Sequence, residues 1–123
     1  MSRVLLVEDY ADAREMYAEF LGLAGYQVSE AADGEQALLL AAASNPDLIV
    51  LDIGLPKIDG LEVARRLRKT KAAALVPIIA LSASMIVDFE PRAHQAGCTI
   101  ALSKPCLPDE LLAAIRTLLG EKK

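Results

Sequence analysis

Five side chains in this sequence have the types and places to do chemistry together. They are the adjacent acids Glu8 and Asp9, then Asp52, Ser82 and Lys104, each at the end of a short apolar run. Three carboxylates gathered at one place repel one another unless a cation neutralises them. Mg²⁺ suits such a site, because it is held by one or two carboxylates and keeps several waters. A carboxylate is also a nucleophile toward phosphorus and forms an aspartyl phosphate. The oxygens of the group in transfer then need a cation and fixed donors around them. Lys104 offers a point charge for one oxygen. The Ser82 hydroxyl and the backbone N–H groups after Asp52 can hold the others. Taken singly, an Asp after a strand is a turn former or a helix cap, and a Lys there is solvated. The conjunction makes a phosphoryl-acceptor site.

The five meet only if the runs before them are neighbouring parallel strands. The sequence reads as strand and helix in alternation. Val4–Val7 is a β-rich run, followed by a helix over Ala11–Ala24 with Met16, Phe20, Leu23 and Ala24 on one face and Gly25 as its stop. Gln27–Ala31 is a weaker strand. Asp33 with Gln36 reads as a capping box opening a helix that runs to about Asn45, before Pro46. Leu48–Leu51 is apolar throughout and ends at Asp52. Asp59 and Glu62 repeat the cap before a helix to about Thr70. Pro77–Leu81, a short helix Glu90–Ala96 closed by Gly97, and Thr99–Leu102 follow. A last helix carries Leu111, Leu112, Ile115, Leu118 and Leu119 on one stripe. Strands this apolar are covered on both faces, as in a parallel sheet flanked by helices. Right-handed crossovers make it an α/β doubly wound (βα)5 sandwich, whose ligands bind beyond the C-terminal strand ends.

Composition narrows the function classes. A chain of 123 residues that is 54% hydrophobic and 24% charged is a folded domain, not a disordered segment. Its net charge of −4 lacks the basic footprint of a nucleic-acid binder, so no direct nucleic-acid contact is expected. No run suits membrane insertion and the N-terminus is unlike a signal peptide, so the expected location is cytoplasmic. Cys98 and Cys106 lack metal-site spacing, and His94 is the one histidine; both thiols are expected reduced and packed near a core.

The chain resembles the receiver domain of two-component response regulators over nearly its whole length. The carrying stretches are V-L-L-V-E-D at Val4–Asp9, D-L-I-V-L-D-I-G-L-P-K-I-D-G at Asp47–Gly60, A-L-S-A at Ala80–Ala83 and L-S-K-P at Leu102–Pro105. The resemblance implies a five-stranded sheet in the order 2-1-3-4-5 and a single receiver domain over residues 1–123, with a polar tail at 120–123. It implies Asp52 as phosphoacceptor, Glu8 and Asp9 with Asp52 as the Mg²⁺-binding acids, and the Gly54 backbone carbonyl as a further metal ligand. Ser82 is then the switch hydroxyl and Lys104 the lysine that pairs with the phosphoryl group, with a cis Lys104–Pro105 bond. The expected donor is a histidine kinase or a histidine phosphotransfer domain, and the output is an unknown protein. Such a domain is no enzyme in the ordinary sense; it catalyses only its own phosphoryl transfer and dephosphorylation. Movement of the Ser82–Met85 loop would alter a surface of the fourth helix, fifth strand and fifth helix bearing Arg92, His94, Asp109 and Arg116.

Other readings fare less well on the residues. A phosphohydrolase of the haloacid-dehalogenase type needs a second Asp two residues after its nucleophile, where this chain has Gly54. An FMN or dinucleotide site needs a Gly- or Ser-rich loop where this chain has Glu8-Asp9-Tyr10-Ala11-Asp12. A phosphorylation-independent docking module is the remaining alternative. Four residues depart from the family pattern. Ala101 stands where Tyr or Phe is usual, Cys106 where Phe is frequent, and Thr99–Ile100 where an acid is common on the dimer surface of DNA-binding regulators. Ala101 therefore implies a weakly coupled switch.

Overall fold

The computed structural model describes residues 2–82 and 88–121. The Ala83 end of the A-L-S-A motif, the loop expected to move after Ser82 and the last two residues of the tail lie outside the described residues.

Among the described residues five strands and five helices alternate: β1 (Arg3–Val7), α1 (Ala11–Leu23), β2 (Gln27–Ala31), α2 (Gly34–Ser44), β3 (Leu48–Asp52), α3 (Gly60–Arg68), β4 (Ile78–Ser82), α4 (Phe89–Gln95), β5 (Ile100–Ser103) and α5 (Pro108–Leu119). The sheet is parallel throughout, in the order β2-β1-β3-β4-β5. Side chains alternate across each strand, so the sheet divides the interior into two cores. Leu5, Val7, Ile49, Leu51, Ile78 and Ala80 face one core, with Ala37, Leu67 and Ala93 from α2, α3 and α4. Val4, Leu6, Leu48, Val50, Ile79 and Leu81 face the other, with Tyr17, Leu21, Leu111 and Ile115 from α1 and α5. This two-sided burial explains why β3 and β4 are buried along their whole length. The edge strands β2 and β5 have a free side and are only partly buried.

Helix signals in the sequence match the caps with one variation. The Asp33 carboxylate accepts from Gln36 N at 2.9 Å, and Asp59 accepts from Glu62 N at 3.0 Å. The return bonds differ from a capping box. The Gln36 side chain accepts from Ala32 N, one residue before the cap, and Glu62 pairs instead with Arg65 and Arg66.

The expected face of α1 is half right, since Phe20 and Ala24 pack partly buried on the core. Tyr17 and Leu21 are buried, whereas Met16 is 42% and Leu23 83% exposed. Both stripes have helical spacing and apolar character. On the buried face the Tyr17 phenol Oη donates to the Cys106 carbonyl at 2.7 Å inside the core. Cys98 and Cys106 are free and buried, as expected.

Two close approaches fix the loops. A methyl group at Gly60 would lie 2.3 Å from Ile53 Cα and 2.7 Å from the Asp52 carbonyl oxygen. Only a glycine lets α3 begin against the end of β3. Arg68, on the last turn of α3, donates to the carbonyls of Ala73, Val76 and Gly97 at 2.6–2.8 Å. One guanidinium thus holds the α3–β4 turn and the turn before β5.

Candidate phosphoryl-acceptor site

Register brings the five side chains to one rim. Val7 pairs with Leu51, Asp52 with Leu81, and Ser82 with Ser103. Glu8 therefore emerges beside Asp52, and Lys104 one residue beyond Ser82. The strand ends are tied by Ile53 N to the Leu81 carbonyl and Lys104 N to the Ser82 carbonyl. Among the described residues Glu8, Asp52 and Ser82 are the buried polar ones, at 2%, 5% and 3% exposure; Asp9 is exposed.

Lys104 lies between two of the acids. Its Nζ is 2.5 Å from Glu8 Oε1 and 3.1 Å from Asp52 Oδ2. Asp52 Oδ1 accepts from Gly54 N at 2.9 Å, so a donor reaches each oxygen of this carboxylate. Glu8 Oε2 accepts from Tyr10 N at 3.2 Å. The Glu8 backbone carbonyl accepts from Arg14, whose guanidinium stands 3.5 Å from Glu30 on β2.

Charge and burial act together here. Burial pushes the Glu8 carboxyl up, and neighbouring Asp52 adds to this while Lys104 opposes it. Burial alone would lower the Lys104 ammonium, but its bonds to Glu8 and Asp52 outweigh that and raise it. Two buried carboxylates, Glu8 and Asp52, stand against one ammonium here, an arrangement that favours added positive charge. Carboxylate oxygens of Glu8, Asp9 and Asp52 lie within 4.8 Å of one another, a hard-oxygen donor set that fits a divalent cation. The Gly54 contact that the geometry gives is its N–H on Asp52; its carbonyl stays an expectation from the sequence.

The remaining singled-out residues lie away from this rim. Ala101 pairs with Ala80 and packs on the core beneath α2, α3 and α4. Arg92, His94 and Asp109 are exposed on α4 and α5, and Arg116 is half-buried. Sequence reasoning missed Arg14, Tyr17 and the packing reason for Gly60. Asp59-Gly60 within the quoted motif was the one available signal for the last.

Comparisons with known proteins agree with this geometry. The model of the response regulator receiver domain matches residues 4–116. The response regulator MprA of Mycolicibacterium vanbaalenii is 42% identical over 117 residues, covering 95% of this chain and 50% of that protein. The DNA-binding dual master transcriptional regulator RpaA of Synechocystis is 36% identical, covering 97% of this chain and 49% of that protein. The chain thus spans about half the length of these curated relatives. The receiver domain of the sensor histidine kinase PA1611 of Pseudomonas aeruginosa superposes with a TM-score of 0.88 at 33% identity, covering 98% of each chain. That structure has a magnesium ion coordinated in its active-site cleft.

Proposed function

This chain belongs to the response regulator receiver domain family, and from that premise we propose that Asp52 takes a phosphoryl group from a phosphohistidine donor. The observation that carries the reading is Asp52 itself: a buried carboxylate at the end of β3, with Lys104 Nζ at 3.1 Å and Gly54 N–H at 2.9 Å.

An Asp52 oxygen attacks phosphorus, the P–N bond of the donor breaks, and the electron pair returns to the imidazole, which takes up a proton. The new P–O bond makes an acyl phosphate. Lys104 turns from Asp52 to a phosphoryl oxygen, and the Ser82 hydroxyl donates to another. Glu8, Asp9, Asp52 and the Gly54 carbonyl would hold Mg²⁺, which would supply positive charge against the phosphoryl oxygens. Return to the resting state is hydrolysis: water attacks phosphorus and the bond to Asp52 breaks, releasing phosphate. The domain catalyses these steps on itself alone.

The donor class is a histidine kinase or a histidine phosphotransfer domain in the cytoplasm. The output is an unidentified protein that reads the surface of α4, β5 and α5. The acidic balance argues that this domain itself does not touch nucleic acid, whatever a longer protein does through another part.

Intact mass after treatment with acetyl phosphate and Mg²⁺ tests the assignment. One phosphoryl adduct is expected on the wild-type protein and none on Asp52→Asn. An adduct that persists in Asp52→Asn overturns it. Calorimetric titration tests the cation: millimolar-range Mg²⁺ should bind wild type and raise its melting temperature by mass action. Asp9→Ala should lose that response.

A further inference from the structure

The turn that carries Lys104 has few backbone hydrogen-bond donors of its own. Residues 104–108 read Lys-Pro-Cys-Leu-Pro, and neither Pro105 nor Pro108 has an N–H to give. Before the turn, Lys104 N is anchored on the Ser82 carbonyl at 2.8 Å. After it, the Cys106 carbonyl accepts from Tyr17 Oη at 2.7 Å, a bond that crosses from α1 within the core. Tyr17 is 4% and Cys106 6% exposed, so water has little access to replace this bond. Burial holds the phenol above its ordinary value, which keeps the proton on the donor.

We propose that Tyr17 is a positioning residue for phosphoryl transfer: its hydroxyl fixes the Lys104–Cys106 turn and thereby aims Lys104 Nζ at Glu8 and Asp52. The phenol touches none of the reacting groups. Its effect passes through the two peptide units between Cys106 and Lys104. An ammonium on a flexible four-carbon stem is aimed only as well as its backbone is held, and about 1 Å of misplacement is enough to cost a transfer reaction dearly. The role of Lys104 in transfer rests on the function proposed above; its placement by Tyr17 does not.

Two arms test this on the full chain. In the first, phosphorylation by acetyl phosphate at saturating Mg²⁺ is timed for wild type, Tyr17→Phe, Lys104→Ala and the double variant. Tyr17→Phe should slow wild type by on the order of tenfold and have little further effect once Lys104 is gone. The same slowing in both backgrounds, or none in the wild type, overturns the proposal. The second arm needs no phosphorylation. In protein labelled with ¹³C-lysine, Tyr17→Phe should shift the Lys104 Cε–Hε signal and leave those of Lys57 and Lys69 in place. An unmoved Lys104 signal overturns the proposal even if Tyr17→Phe melts earlier. Failure of wild type to accept a phosphoryl group would overturn the function of the site while leaving this second arm decisive for Tyr17.

Discussion

Replacing Gly60 by alanine should injure both the fold and the site, by amounts the geometry allows to be worked out. Alanine is the better helix former, but Gly60 is the first residue of α3, so this favours the variant by at most about 1 kcal/mol. Against this, the new Cβ would sit 2.3 Å from Ile53 Cα and 2.7 Å from the Asp52 carbonyl oxygen. Both contacts are with backbone, so no rotamer change relieves them. Restoring ordinary contact requires α3 and the end of β3 to part by about 1 Å. Overpacking of this kind costs about 3 kcal/mol when backbone must move. The net loss is at least about 2 kcal/mol, which is roughly 6–8 °C in melting temperature for a chain of this size. The displaced segment carries Asp52, so the rate of phosphorylation at saturating Mg²⁺ should fall by about a hundredfold. Gly22→Ala is the control. Nothing lies within 4 Å of its Cβ position in α1, so the same substitution there should stabilise by about 0.5–1 kcal/mol and leave the rate alone. Calorimetry and mass-detected phosphorylation read the two effects separately. A Gly60→Ala protein with wild-type melting temperature would refute the packing argument. A lowered melting temperature with an unchanged rate would refute the link from this approach to Asp52.

Leu21→Ala should cost about 2–5 kcal/mol in urea unfolding, because the side chain is fully buried. Leu23→Ala, at 83% exposure, should stay within about 0.5 kcal/mol of wild type. Burial, reinforced by its bond to Glu121, pushes the Tyr26 phenol from 10.0 up to about 12. The unfolded chain releases that proton first, so this contribution is whole below pH 10 and is lost as pH rises toward 12. Wild type should lose about 2 kcal/mol relative to Tyr26→Phe across that window, read by urea unfolding at each pH. Beryllofluoride, a phosphoryl mimic, should shift amide signals strongly at Asp52–Gly54 and weakly across His94–Ala101. Ala101→Tyr should enlarge the distal shifts, because a ring there can bury area that a methyl group cannot; equal responses in both proteins would show that Ala101 costs the switch nothing.

The site was legible because each of its residues ends an apolar run, and register in a parallel sheet turns that pattern into a place. Asp52 could be located from Leu48–Leu51 alone, and Lys104 from its offset along β5. What the one-dimensional pattern could not decide was which of two stripes of α1 faces inward. Met16, Phe20, Leu23 and Ala24 have helical spacing, but the fully buried pair is Tyr17 and Leu21, and Tyr17 has a partner 89 residues away. Arg68 was illegible for the same reason, since its acceptors are backbone carbonyls that any sequence would supply. The caps were half legible. Asp33 and Asp59 accept where expected, but the return bonds depend on where Gln36 and Glu62 find their strongest partners.

The division of the interior by a single sheet has a consequence for how this sequence can vary. Leu48 and Val50 touch one compartment, Ile49 and Leu51 the other, and among the described residues no side chain belongs to both clusters. Each compartment must keep its own volume, so a loss of bulk in one has to be offset by residues of the same cluster. Exchange across the sheet is closed. Compensating substitutions are therefore expected to pair within one compartment rather than across the sheet.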